Sequence, residues 1–386
     1  MNKIYDVIVV GGGVIGLSAA IAMSKRNFRV AIIDASSLTV DTSKLDPRVY
    51  AINKKSEILL EKLNVMNLID KTRLSPYQHM HVWDAASNAY IDFDARMVGT
   101  THLGTIIEES VIKAALLLQM SKHDIACFPN SSVAKVEILD DHIHLTDINK
   151  KTYDAKLMIV ADGASSSTRQ LLGVQLNSWS YHQKAIVTLI RTKLPHNQTA
   201  YQVFNEDGPL AFLPLADPNL CSIVWSTAPN KVDYLMKLSN EKFSLELKEA
   251  FAGKLGDCEV VDRLHQFPLQ MRHAKAYSGH RWLLMGDAAH TIHPLAGLGL
   301  NVGLNDLDTW LNLVDNDKTK ICSNKTLGAY QRLRKVDVWK MIALMDGLKA
   351  IFSNPIPPFK FLRGLGLSAT NNFLPLKRWF IEQAGN

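Results

Sequence analysis

Residues 4–16 read IYDVIVVGGGVIG, and this stretch decides the fold. Its first seven residues are an apolar run rich in β-branched side chains, the pattern of a strand buried on both faces of a parallel sheet. Three glycines follow at once. Residues Leu17 to Arg26 then read as a helix, and Arg29 to Ile33 as a second apolar strand ending in Asp34. Gly11, Gly13 and Gly16 thus form a GxGxxG turn between a strand and a helix, with Val14 and Ile15 inside the turn. Each glycine has a task in such a turn. Gly11 allows the chain to reverse, Gly13 lets a pyrophosphate approach the backbone, and Gly16 lets helix and strand pack closely. The helix N-terminus offers unpaired N–H groups and the positive end of its dipole to the phosphates. Asp34 is placed to accept from ribose hydroxyls. The predicted ligand is a dinucleotide, and this motif alone does not say which one.

Two later stretches narrow the choice. Residues 157–163, LMIVADG, are another apolar strand ending in Asp162-Gly163, with Arg169 shortly after. Residues 282–287, WLLMGD, end in Gly286-Asp287 and lead into the segment HPLAGLGLNVG, His293 to Gly303. A strand-end acid such as Asp287 suits the hydroxyls of a ribityl chain. The glycine-rich start of the next helix (Gly297, Leu298, Gly299, Leu300 and Asn301) can aim N–H groups at the pyrimidine end of an isoalloxazine ring. That arrangement stabilises an anionic reduced flavin. A nicotinamide enzyme has no need of this second site, so the expected cofactor is FAD.

The order GGGVIG, VADGASSSTR, LLMGDAAHTIHPLAGLGLNVG resembles the class A flavoprotein monooxygenases of the para-hydroxybenzoate hydroxylase type. Within them the chain looks most like the ubiquinone-biosynthesis ring hydroxylases. DPRVYAI (Asp46 to Ile52), LGTIIEESVI (Leu103 to Ile112) and the tail with MDGLKAIFS and PLKRW carry the narrower likeness. Three positions depart from the family pattern. Asp34 stands where Glu is more frequent, Glu109 where Asn is common, and Leu298 where Gln is usual. At 298 a side-chain amide contact to the flavin is missing, while backbone N–H contacts would remain.

The resemblance implies an α/β fold: a discontinuous Rossmann-like FAD-binding domain, an inserted and mostly antiparallel β-sheet substrate domain, and C-terminal helices. The expected segments are 1–72, 97–176 and 274–330 for the first, 73–96 and 177–273 for the second, and 331–386 for the last. In the second, AIVTLIRTKL, AYQVFNEDGPLAFLPLAD and LCSIVWSTA read as antiparallel strands, and 238–256 as a helix. The resemblance also implies a cycle in which NAD(P)H, bound transiently, reduces the flavin, O2 then gives a flavin hydroperoxide, and a phenol-type ring takes one oxygen. Arg48 is the expected cation near the flavin or its pyrophosphate. Pro294 and Gly297 are expected to shape the wall over the ring. No catalytic base can be named; His290 and His293 read as structural.

Composition agrees with a folded enzyme of one large or two ordinary domains: 386 residues, 47% hydrophobic and 21% charged. The four cysteines (Cys127, Cys221, Cys258, Cys322) lie far apart, without CxxC or Cys/His metal spacing, and read as reduced thiols in a cytoplasmic protein. No metal and no nucleic acid is expected. Asp6 and the glycines after it do not suit a signal peptide, and no apolar run reaches the ~20 residues of a membrane span. From Gln331 to Asn386 there are nine lysines and arginines against three acids, which accounts for the whole chain's net charge of +6. With Phe352, Phe359, Phe361, Leu362, Phe373, Trp379 and Phe380, this tail could meet an acidic membrane surface or another subunit. The family resemblance, together with this tail, implies a polyprenylated phenol as substrate and an enzyme peripheral on the inner face of the membrane. The alternatives are a hydroxylase of a small soluble aromatic and a flavoprotein-like scaffold subunit.

Overall fold

The computed structural model describes residues 4–87, 89–291, 299–315 and 317–352. The Tyr5–Val10 strand lies near the middle of a parallel sheet. It pairs with Val30–Ile33 on one side and Thr152–Val160 on the other; Ile125–Phe128 and Trp282–Leu284 extend the sheet outward. Val7, Ile8, Val9, Ile32, Leu157 and Ile159 are fully buried, as a strand covered on both faces requires. The Val14–Lys25 helix covers one face, packed between the helices Glu109–Met120 and Gly299–Val314. It starts at Val14, three residues before the predicted Leu17, because Gly13 is the last extended residue and already accepts the first helical bond, from Leu17 N–H at 2.9 Å.

A nine-stranded, mostly antiparallel sheet forms the second layer. The predicted strands are present as Leu176–Thr192, Thr199–Asn205, Gly208–Pro214 and Leu220–Thr227. The first is longer than predicted; it begins at Leu176 and passes an irregularity between Ser180 and Gln183. His79–Asp84 and Tyr90–Asp94 complete one edge, joined through a parallel pairing to Thr199–Asn205. One face of this sheet (Ile186, Ile190, Phe212, Ile223, Trp225) packs on Phe243, Leu247 and Phe251. The helix there runs Asn240–Ala250, shorter than the predicted 238–256. Ser239 caps its start, and left-handed backbone at Ala252 and Gly253 ends it.

The opposite face of the large sheet meets a three-stranded sheet of Val49–Asn53, Gly104–Glu108 and Ser75–Tyr77 through Leu189, Leu213, Leu220, Val49 and Ile106. The Ser222 hydroxyl donates to the Pro47 carbonyl at 2.7 Å and pins the two together. All four cysteines are free thiols. No described helix is long and apolar enough to cross a membrane.

Candidate active site

Four loops follow the C-terminal ends of four neighbouring parallel strands. In sheet order these are Gly286-Asp287, Asp162-Gly163, the Gly11–Gly16 turn and Asp34. Both neighbours of the Tyr5–Val10 strand follow it in sequence, Val30–Ile33 on one side and Thr152–Val160 on the other, so the chain leaves this strand toward one edge of the sheet and later returns to fill the other. Such a switch point opens a crevice at the carboxyl ends of the strands, the usual seat of a dinucleotide.

The turn itself is built for close approach. Gly11 has φ +110°, and a Cβ there would strike the Ala161 carbonyl; a Cβ on Gly16 would strike the Gly11 carbonyl. At Gly13 a Cβ would meet nothing within 4 Å, so the space over the turn is open. The helix behind it has no side-chain cap and no acid in its first turn, which leaves the N–H groups of Val14, Ile15 and Gly16 for an anion. The Val14 side chain is in the core. Ile15 is a wedge: its side chain fills the space where Cβ atoms on Gly286 and Gly303 would lie, 3.2 and 2.9 Å away. It thereby seats the glycine turn against the Gly286-Asp287 turn. Asp34 Oδ2 accepts from Gly12 N–H at 2.5 Å and Oδ1 from Ser36 N–H at 2.8 Å, which fixes the carboxylate and leaves further lone pairs outward.

Asp162 uses one oxygen on Thr168 N–H at 3.2 Å; the other is buried without a partner among the described residues. A buried unpaired carboxylate oxygen calls for a donor from outside the chain. Gly163 has φ +86°, and Arg169, itself buried, donates to the carbonyls of Ala164 at 3.1 Å and Ala288 at 2.9 Å. Arg169 therefore ties the second loop to the third.

At that third loop the strand stops at Leu284, earlier than the predicted 287, because Gly286 at φ +58° turns the chain into a 3-10 turn. Asp287 accepts no hydrogen bond from any described residue. It is open to solvent but hemmed in by protein, and that desolvation raises its carboxyl above the ordinary range; His290, Arg48 and Arg272 act against the rise. The helix Gly299–Val314 presents the first-turn N–H groups of Gly299, Leu300 and Asn301. The Asn301 side chain is taken up by protein: it donates to the Ala51 carbonyl at 2.7 Å and accepts from Asn53 N–H at 3.1 Å. Its backbone is what remains for a ligand. His293, Pro294, Gly297 and Leu298 lie outside the described residues, as does the tail beyond Phe352.

Arg48 sits over the Tyr50 ring, and its Nε lies 2.6 Å from Glu109 Oε2, which also accepts from the Tyr50 hydroxyl at 3.1 Å. The two sequence segments singled out above, around Arg48 and around Glu109, are antiparallel neighbours, with Val49 opposite Glu108. Asp46 accepts from Arg48 N–H at 2.9 Å and Ser110 N–H at 3.1 Å, while Glu108 holds Asp46 N–H and the Arg73 guanidinium. The strip is rigid, and the Arg48 head stays more than half exposed. Burial lowers its pKa, but Tyr50, Glu109 and Asp287 outweigh that and raise it, so Arg48 is a permanent cation facing Asp287.

Sequence reading missed the hub behind this site. Asp306, fully buried, accepts from Gly286 N–H (2.8 Å), His290 Nε2 (2.7 Å) and Arg334 Nε (2.6 Å). Burial raises the Asp306 carboxyl, but His290 and Arg334 together bring it below its ordinary range. Arg334 comes from the long helix Asn324–Phe352, so that helix helps to hold the Gly286-Asp287 turn. Only a weak signal in the sequence points to this: an acid on the buried face of an otherwise apolar helix. Nothing in the sequence signals that His142, His144 and Asp154 converge elsewhere on the surface.

These residues fit FAD: an open phosphate cradle, an anchored acid at the ribose position, a buried unpaired oxygen on Asp162, and an unbonded acid beside helix N–H groups. Comparison with known proteins agrees. A family model described as FAD binding domain matches residues 4–343. The chain is 33% identical to 3-demethoxyubiquinol 3-hydroxylase of Escherichia coli, covering 99% of each. It is 31% identical to the ubiquinone biosynthesis monooxygenase COQ6 of Homo sapiens (97% of this chain, 91% of that one). It is 30% identical to ubiquinone hydroxylase UbiL of Rhodospirillum rubrum (99% and 90%). Among solved structures, p-nitrophenol 4-monooxygenase from Pseudomonas putida superposes with a TM-score of 0.81 over 100% of this chain and 99% of that one, at 18% identity.

Proposed function

The chain belongs to the FAD binding domain family and, within it, to the ubiquinone-biosynthesis hydroxylases, and from that premise we propose how its own residues serve the reaction. It is an FAD-dependent aromatic-ring monooxygenase of ubiquinone biosynthesis. Bound FAD supplies the redox chemistry, taking two electrons from NAD(P)H and using O2 to add one oxygen atom to an aromatic ring.

The chain binds, orients and shields. Gly11, Gly13, Val14, Ile15 and Gly16 cradle the pyrophosphate through backbone N–H groups, and Asp34 accepts from the ribose. Asp162 and Gly163 close the crevice on its other side, with the unpaired Asp162 oxygen accepting a cofactor hydroxyl. Asp287, on Gly286, accepts from the ribityl chain. The helix start at Gly299, Leu300 and Asn301 would face the pyrimidine end and favour negative charge there. Arg48 balances negative charge at the flavin or its pyrophosphate. The nine-stranded sheet lies over the substrate and excludes water, which preserves the oxygen for transfer. Most strands agree with a division into 1–72, 97–176 and 274–330 as the FAD-binding domain and 73–96 and 177–273 as the substrate domain, but Ser75–Tyr77 pairs with Gly104–Glu108 and His290–Thr291 with the nine-stranded sheet, across those bounds.

The observation that carries this reading is the set of four strand-end loops on adjacent strands. The substrate is a polyprenylated phenol, a reading supported by the names of the similar hydroxylases. The basic, aromatic segment 331–386 would meet the membrane or a partner subunit, so that a long prenyl chain need not enter water. The test compares NAD(P)H oxidation by the FAD-loaded enzyme with a short-chain prenylated phenol and with small soluble aromatic acids. Stimulation and ring oxygenation by the prenylated phenol alone support the assignment. A response confined to soluble acids overturns it, and failure to reduce the flavin at all favours a scaffold subunit.

A further inference from the structure

At the far end of the Thr152–Val160 strand from Asp162, three side chains converge that the flavin site does not use. His142 and His144 flank Ile143, which is fully buried, so both rings stand on the outer face of their hairpin. His144 is directly opposite Asp154 in the antiparallel pairing. Its Nδ1 lies 2.6 Å from Asp154 Oδ1, and His142 Nε2 lies 3.7 Å from the same oxygen. One donor atom from each residue falls within 4.8 Å of the other two.

A fourth residue supplies the independent observation. His142 Nδ1 lies 2.7 Å from Asp141 Oδ1. When Nδ1–H donates to that carboxylate, the lone pair is on Nε2, the atom that faces Asp154. A carboxylate holding the back nitrogen of a histidine is the usual support of a metal-binding imidazole; it fixes the tautomer and raises ligand basicity.

We propose that His142 Nε2, His144 Nδ1 and Asp154 Oδ1 bind one Zn2+ ion, with Asp141 orienting His142. Zn–N and Zn–O bonds of about 2.0–2.1 Å place tetrahedral ligands roughly 3.4 Å apart. The 2.6 Å separation must open and the 3.7 Å one close, each by under about 1 Å, within the reach of side chains that are partly exposed. That exposure leaves the fourth position to water. Two imidazoles and one carboxylate select a borderline ion over Mg2+ or Ca2+, which prefer all-oxygen sites. The ion would replace the proton shared by His144 and Asp154 and cross-link the Ile143–Asp147 and Thr152–Val160 strands. Eight residues separate Asp154 from Asp162, roughly 26 Å of extended chain, so the site is independent of flavin chemistry.

The test is calorimetric titration of metal-free, FAD-loaded, full-length enzyme with ZnCl2. The expected result is saturable uptake with a component of one ion per chain. That component should be lost in His142→Gln, His144→Gln and Asp154→Asn, and weakened roughly tenfold or more in Asp141→Asn. Flavin absorbance and circular dichroism should stay unchanged in each. Electron paramagnetic resonance of Cu2+ in the same site of the unaltered protein should show two nitrogen ligands. No saturable Zn2+ uptake, or uptake that these substitutions leave intact, overturns the proposal.

Discussion

Asp287 combines two properties that a purely structural acid would not have. It is crowded enough for desolvation to raise its carboxyl, yet no described residue satisfies it. A cofactor hydroxyl resolves that state. Asp287→Ala is therefore expected to weaken FAD binding by about 1.5–3 kcal/mol, roughly 10- to 150-fold in Kd. Flavin fluorescence quenching measures this, and an unchanged Kd would remove Asp287 from the site. His273 makes a different prediction. Its ring is buried with neither nitrogen paired among the described residues, between Tyr277 and Trp339. Burial, aided by the nearby His290 and Lys335 charges, lowers its pKa to about 4. The folded chain holds it neutral, while the unfolded chain takes up a proton near pH 6.5. The stability it contributes is full above pH 6.5 and is lost as pH falls toward 4, a change of about 3 kcal/mol. In His273→Gln the fall of Tm across that window should be shallower; parallel curves would contradict the assignment. Legibility at this scale was uneven. Gly11, Gly16, Asp34 and Asp287 could be read because their tasks depend on a local turn or strand end. Glu109 could not be paired with Arg48, because 61 residues separate them and only strand pairing brings them together.

Elements were legible where their pattern is local. The apolar strands and the glycine turn declare themselves within a dozen residues. Ends were misread where single backbone angles decide: Gly13 starts a helix earlier, Ala252 and Gly253 stop one sooner, and Gly286 cuts a strand short. The glycine turn itself yields a sharp test. Gly16→Ala forces a Cβ into the Gly11 carbonyl, so the turn must open, and FAD binding should be lost even if the fold survives. Retention of wild-type flavin affinity would contradict the close packing described. Behind the Gly286-Asp287 motif, the Asp306 hub binds the helices Gly299–Val314 and Asn324–Phe352 to the Gly286 turn. Asp306→Ala strands the buried His290 and Arg334 without their shared partner. The expected cost is about 3–5 kcal/mol, seen as a lower Tm together with weaker flavin retention. A variant with unchanged Tm would show that the hub is dispensable.

For the whole molecule, the sequence and its family resemblance anticipated the α/β class, the parallel sheet and an added, mostly antiparallel sheet. What they could not give is how the layers lock. Ser222 on Pro47, Ile15 between Gly286 and Gly303, and Arg169 across two loops are contacts between residues 119 to 288 positions apart. No periodicity encodes them. Together they join a dinucleotide crevice to a sheet that can cover a ring, which is the arrangement a monooxygenase needs to separate oxygen transfer from water. The most direct test is a reaction of FAD-loaded enzyme with NAD(P)H, a short-chain prenylated phenol and 18O2, followed by mass spectrometry of the ring. One 18O atom in the product, with nicotinamide oxidation matched to product, is the result predicted. Nicotinamide oxidation that yields only labelled hydrogen peroxide, with every aromatic offered left unlabelled, would contradict the hydroxylase account.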